Sequence, residues 1–117
     1  MNNAIQLFAF EDHLVRTIMG DGGEPWFVAK DVCSVLEIAN HRDVVAQLDE
    51  DEKDGVGIPD AIGREQKTTI ISESGLYALV FRSRKPQARA FSKWVRKEVL
   101  PALRRTGRYA MEDATPE

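Results

Sequence analysis

Five cations, Arg89, Lys93, Arg96, Lys97 and Arg104, are spread along the stretch Lys85 to Gly107, KPQARAFSKWVRKEVLPALRRTG. On a helix that turns about 100° per residue they gather in one arc, while Ala88, Phe91, Trp94, Val95, Val99 and Ala102 gather in another. Exposed guanidinium and ammonium groups held on one face neutralise phosphates or carboxylates, so this arc predicts a polyanion or an acidic protein as partner. Glu98 falls inside the apolar arc. A lone buried carboxylate is costly, so the pattern predicts a cation or backbone donors beside it, in a structural ion pair.

Other reactive residue types lack the spacing that chemistry needs. His13 and His41 stand apart, and with Cys33 as the single cysteine they give no structural zinc pattern and no disulfide framework. Cys33 would be a nucleophile only if Lys30 or His41 stabilised its thiolate; beside Val32 and Leu36 it reads as a small apolar filler. The run Asp49-Glu50-Asp51-Glu52 fails as a calcium loop because Asp54 occupies the sixth position, where the bend requires glycine. Asp49 to Asp54 is therefore expected to be a metal-free, exposed loop. Gly55-Val56-Gly57 lacks the last glycine of a dinucleotide fingerprint, and Ser74-Gly75 lacks the two-sided frame of a nucleophile elbow. No catalytic residue, cofactor or metal ligand is expected, and the chain does not read as an enzyme.

The 117 residues carry a net charge of -3, which conceals a segregation. Phe81 to Arg108 holds ten Lys/Arg against Glu98 alone, whereas Glu11 to Val80 holds fifteen Asp/Glu against six Lys/Arg. Glu112, Asp113 and Glu117 add further acid at the end. A chain of this length makes one domain with a single core. Neither a secretory leader nor an apolar run of spanning length occurs, so no membrane partner is expected and a reducing, cytoplasmic setting is.

The elements that must position these residues follow from periodicity. Ala4 to Glu11, His13 to Met19 and Pro25 to Val28 read as an antiparallel meander, with Gly20 to Glu24 as a turn. Ala29 to Leu36 changes to helical period, and Asn40 is placed to cap a second short helix containing Val44, Val45 and Leu48. This pair could form a helix-turn-helix with His41 and Arg42 at the second N-terminus, although a short helical hairpin is more often core structure. Gly55 to Ile62 and Lys67 to Ile71 can pair around Gly63-Arg64-Glu65, with Pro59 confining the first strand to an edge. Such a hairpin, carrying Arg64 and Lys67 near its tip, could serve as a wing. Ser72 caps Glu73 to Arg82, whose Leu76, Tyr77, Leu79, Val80 and Phe81 cover most of its circumference and predict a central helix. Pro86 suits the first turn of the last helix, Pro101 should kink it, and Gly107 ends it. The fold class is α+β: a small antiparallel sheet and hairpin packed against several helices, with a long, kinked C-terminal amphipathic helix. Phe91, Trp94 and Val95 are expected to pack on Leu76, Leu79 and Val80.

Four segments together resemble the N-terminal BRO domain of baculovirus repeated-ORF proteins and prophage antirepressors. They are Phe8 to Arg16, GEPWFVAKDVCSVL (Gly23 to Leu36), ISESGLYALVFRS (Ile71 to Ser83) and KPQARAFSKWVRKEVLPALRRTGRY (Lys85 to Tyr109), in the family's order. The resemblance spans residues 1–109 and leaves 110–117 as an acidic tail expected to be disordered. It implies a DNA-binding domain of a phage or prophage antirepressor-type transcriptional regulator, working in the cytoplasm of a bacterial host and on its nucleoid when DNA-bound. Family members often carry a separate C-terminal domain, so both a short member and a piece of a longer protein fit. The nucleic-acid-binding residues expected are Arg89, Lys93, Arg96, Lys97 and Arg104, with Arg42 and Arg64 as secondary candidates. The alternative is a protein-interaction module that binds and inactivates a repressor without touching DNA. An exposed wing or strand edge also admits a homodimer.

Overall fold

A computed structural model describes residues 5–20 and 22–106. Five strands, β1 (Ile5–Phe10), β2 (His13–Met19), β3 (Pro25–Val28), β4 (Lys53–Pro59) and β5 (Glu65–Ser72), form one antiparallel sheet in the order β1-β2-β3-β5-β4. Between β3 and β4 the chain makes two short helices, α1 (Ala29–Val35) and α2 (His41–Ala46), and a single 3-10 turn (Glu50–Glu52). After β5 follow α3 (Glu73–Arg82) and a helical rod made of α4 (Pro86–Trp94), a π-helical turn (Val95–Val99) and α5 (Leu100–Thr106). The expected α+β architecture is what the chain adopts. Pro59 ends β4 on the sheet's outer edge, where its missing N–H breaks no ladder. Gly107 and the tail 110–117 lie outside the described residues.

Alternation along the strands decides the core. Phe10, Val15, Phe27 and Ile71 point to the helical side and join Leu76, Leu79, Phe91, Val95 and Leu103 in the main cluster. Ile18, Val28, Ile58 and Ile70 form a second, smaller cluster. The Ser72 hydroxyl accepts the Gly75 N–H at 3.1 Å and so starts α3 as expected. Gly75 is needed for a further reason: a Cβ there would stand 2.9 Å from the Glu52 carbonyl oxygen. Phe81 departs from expectation, being 91% exposed. It lies about 140° round the helix from Leu76, so when Leu76 and Leu79 face the sheet Phe81 faces solvent. The α3 helix therefore has one buried stripe and is not apolar all round.

The C-terminal rod keeps its core stripe by a change of helical pitch. Phe91, Val95, Val99, Leu100 and Leu103 are all buried, a set that a uniform turn of about 100° per residue cannot place on one side. The five-residue π turn Val95–Val99 resolves this, with the Leu100 N–H donating to the Val95 carbonyl oxygen five residues back. Pro101, which has no N–H to give and whose ring crowds the preceding turn, accounts for the widening in place of an ordinary α turn. The extra residue rotates everything after it. Leu103 enters the core where uniform pitch places Ala102, and Glu98, expected in the apolar arc with a partner, is exposed and has no ion pair among the described residues. Phe91 and Val95 join Leu76 and Leu79 in the main core cluster, and the partly buried Val80 packs against it. Trp94 is only half-buried and meets Phe8, Phe10 and Phe91, with ring centroids 6.4, 5.0 and 5.7 Å away.

The helix α1 stops in a left-handed cap. Glu37 has φ of 59°, while the Ile38 N–H donates to the Cys33 carbonyl and the Glu37 N–H to the Ser34 carbonyl. Glycine is the usual residue at such a position; here the Glu37 side chain is used instead, its carboxylate accepting from Gln87 at 2.5 Å and pairing with Lys85 at 3.3 Å. That ties the α1–α2 connection to the start of α4. Asn40 precedes α2 as expected, yet its side chain makes no capping bond. The acidic run is only partly a loop: Glu50–Glu52 is the 3-10 turn and Asp54 already belongs to β4. Glu52 accepts the Ser74 hydroxyl at 2.6 Å and the Asp49 N–H at 3.0 Å, bonds that hold its carboxyl below the usual range.

Candidate nucleic-acid interface

The six Lys/Arg between Glu11 and Val80 are scattered in sequence and outnumbered by acids, yet the fold collects five of them. Arg16 of β2, Lys30 of α1, Arg42 of α2, Lys53 of β4 and Lys67 of β5 line a groove of about 620 Å³ between α2 and the β4–β5 hairpin. Register explains the hairpin's share. Lys53 pairs with Ile71 and Gly57 with Lys67, so Lys53, Lys67 and Thr69 stand on the sheet face that carries Ile71. Two of the cations have structural duties: Arg16 donates through Nε and Nη2 to the Asp31 carboxylate at 2.8 and 2.9 Å, and Lys53 donates to the Ala46 carbonyl at 2.9 Å. Lys30, Arg42 and Lys67 are exposed and make no ion pair with any described residue. His41, Gln66 and the Thr68 and Thr69 hydroxyls add hydrogen-bonding groups to the same lining.

Asp60 is the single acid in that lining among the described residues, and it is committed to the hairpin tip. Its carboxylate accepts the Ile62 and Arg64 N–H groups at 3.0 and 2.9 Å and pairs with Arg64 Nε at 3.4 Å. Desolvation pushes its carboxyl upward, but the donors from Arg64, Ile62 and Gln66 outweigh it and the net direction is down. Gly63, at φ of 91°, closes the turn. Arg64, expected as a phosphate contact, thus helps to hold the tip while its side chain remains 72% exposed.

The cations expected on the last helix separate into groups. Arg89 and Arg96 line a second groove, of about 650 Å³, between the end of α3 and α4; Arg84 and Lys85 join them there. Lys93 and Lys97 are exposed further round the rod. Arg104 lies apart, at a smaller cavity with Glu73, Leu100 and Leu103. Arg42 belongs to the first groove, which shares no residue with the second. Both grooves have apolar residues in their linings, Ala29, Val45, Ala46, Ile58 and Pro59 in the first and Val80, Phe81, Pro86 and Ala88 in the second, but the second is the less polar and carries the exposed Phe81 ring.

Lys30, Lys53 and Arg16 were not singled out as binding residues by sequence. Each sits alone among acids, and nothing short of the strand order and register reveals that they converge. Cys33 is buried, and desolvation pushes its thiol up to about 11, which leaves it an inert core residue. Among the described residues no group of three or more His, Cys, Asp and Glu is placed to hold a metal, and no helix is long and apolar enough to cross a membrane.

Comparison with known proteins supports one assignment. The BRO family N-terminal domain matches residues 14–101. An uncharacterized protein of Haemophilus influenzae is 40% identical over 116 residues, covering 96% of this chain and 57% of its own length. Bro-N domain-containing proteins of invertebrate iridescent viruses 6 and 3 are 28% and 27% identical over 90% and 87% of this chain, which spans only 29% and 30% of theirs. No solved structure matches. The match covers all five strands except β1 and part of β2, and every helix up to the rod's final turns, so the chain belongs to the family of BRO N-terminal domains.

Proposed function

We propose that this domain binds duplex DNA through the groove between α2 and the β4–β5 hairpin, as the DNA-contacting part of a phage or prophage antirepressor-type transcriptional regulator in the bacterial cytoplasm. The observation that carries the reading is the convergence of Lys30, Arg42 and Lys67 from three elements onto one groove. Their charges are not neutralised by described partners, so a phosphate backbone entering the groove releases its counterions without breaking a native ion pair. The threonine hydroxyls and Gln66 are groups that position a backbone rather than read a sequence. The hairpin acts as a wing, kept in shape by Asp60 and Arg64. Lys93, Lys97, Arg89 and Arg96 form the competing basic surface. The first groove is preferred for duplex because its lining is the more polar of the two and its free cations come from three separate elements, whereas the second presents an exposed aromatic ring that adds nothing to phosphate binding. No reaction is part of this proposal.

The test is a mobility shift with random-sequence duplex at two salt concentrations. Binding that weakens steeply with salt is expected. Absence of duplex binding at low salt, or binding insensitive to salt, overturns the reading.

A further inference from the structure

We infer that the groove between the end of α3 and α4 is a docking site for an acidic protein segment with an apolar anchor, distinct from the duplex groove. Phe81 is 91% exposed and stands next to Val80 and Pro86, which gives the groove an apolar floor. Four cations, Arg84, Lys85, Arg89 and Arg96, share the lining with no acid among them. Among the described residues only Lys85 of these four is in an ion pair, with Glu37 at 3.3 Å. Charge complementarity therefore calls for carboxylates around an apolar group.

The spacing narrows the partner. Arg89 and Arg96 lie two turns apart on one rod, about 10 Å along its axis. An acidic helix laid beside α4, with carboxylates two turns apart and a leucine or aromatic residue between them, places its charges on Arg89 and Arg96 and its anchor on Phe81. Ser92 lies between the two arginines, its hydroxyl 3.5 Å from Arg96 Nε, and leaves room for the partner's backbone. An exposed aromatic flanked by arginines is also the composition that concentrates binding energy in protein interfaces. Phosphates alone have no use for the apolar floor, which favours a protein segment over duplex here.

The experiment measures anisotropy of a fluorescein-labelled helical peptide with two Glu about two turns apart and Leu between them. Four intact proteins are compared: the natural sequence, Phe81→Ala, Arg89→Ala/Arg96→Ala, and Lys30→Ala/Arg42→Ala/Lys67→Ala. Saturable binding is expected, weakened about tenfold by each of the first two variants and unchanged in the third. All substituted side chains are exposed, so folding is not at risk. Absence of saturable binding overturns the inference, as does binding unaffected by Phe81→Ala. Two further outcomes also overturn it: an oligothymidine that requires Phe81 while the peptide does not bind, which makes the groove a single-strand site, and self-association lost in Phe81→Ala, which makes its occupant a second copy. Duplex binding measured on the same proteins separates failure here from failure of the DNA reading.

Discussion

The two basic grooves are made in opposite ways. Around Phe81 the cations come from one continuous basic stretch, on the loop after α3, on α4 and in the π turn, and their clustering is already present in the sequence. Between α2 and the hairpin they come from five elements spread from Arg16 to Lys67, in a part of the chain where acids outnumber bases. Net charge along a sequence therefore misjudges local field. Among the described residues, Asp60 is the one acid in that lining and its carboxylate is bonded within the hairpin tip, while Asp31 is bonded to Arg16 and Glu50–Glu52 form a separate turn, which leaves a cationic groove in an acidic half.

The largest expected effect strikes what both grooves share. Phe91 is fully buried and packs edge-on to Phe10, at a centroid distance of 5.4 Å, so Phe91→Ala should destabilise the fold by about 3 to 5 kcal/mol in denaturant unfolding. Trp94→Ala should lose less, because Trp94 is half-buried and keeps only its aromatic neighbours. Equal losses would mean that Trp94 is buried more deeply than the structure has it.

Gly75→Ala should separate the grooves. Its new Cβ would press on the Glu52 carbonyl at 2.9 Å, directly before β4, at a destabilisation of about 1 to 3 kcal/mol. Amide shifts should spread through β4 and Lys53 and spare Phe81 and Arg89; shifts concentrated at α4 would contradict the coupling. Glu37→Ala should do the reverse. It removes the contacts to Lys85 and Gln87 and should loosen the start of α4, with a stability change of only about 0.5 kcal/mol since the pair is half-exposed.

A smaller effect is a pH response at the hairpin tip. The Asp60 carboxyl is held below its ordinary value, so it binds its proton less readily in the folded chain than in the unfolded one. Its contribution is complete above the unfolded-state value of about 4 and is lost as pH falls through the lower folded value. The Ile62 and Arg64 amides should lose protection over that interval while α4 amides do not. Unchanged protection at the tip would remove Asp60 from its structural role.

What was legible in the sequence followed local rules. Strand alternation placed β1 to β3 and β5, Ser72 marked the start of α3, Pro59 marked an edge, and the cationic arc of α4 was visible at helical period. Glu98 and Ala102 were misplaced because a fixed pitch cannot register the π turn at Val95–Val99, whose cause, Pro101, was in view but read only as a kink. Phe81 was misread because five apolar residues in ten suggest an all-round apolar helix, whereas packing against one sheet uses a single stripe. The Lys30, Arg42 and Lys67 groove depends on strand order and register, which no local pattern encodes.

Salt dependence of duplex binding tests the central claim most directly. Log affinity against log salt would be measured for the natural sequence, for Lys30→Ala/Arg42→Ala/Lys67→Ala, and for Lys93→Ala/Arg96→Ala/Lys97→Ala. The first triple variant should lower the slope by about 3, weaken binding on every sequence alike and leave the melting temperature unchanged, with the second near the natural slope. A natural slope in the first variant and a loss of about 3 in the second would place the duplex on the C-terminal rod and contradict the assignment to the α2–hairpin groove.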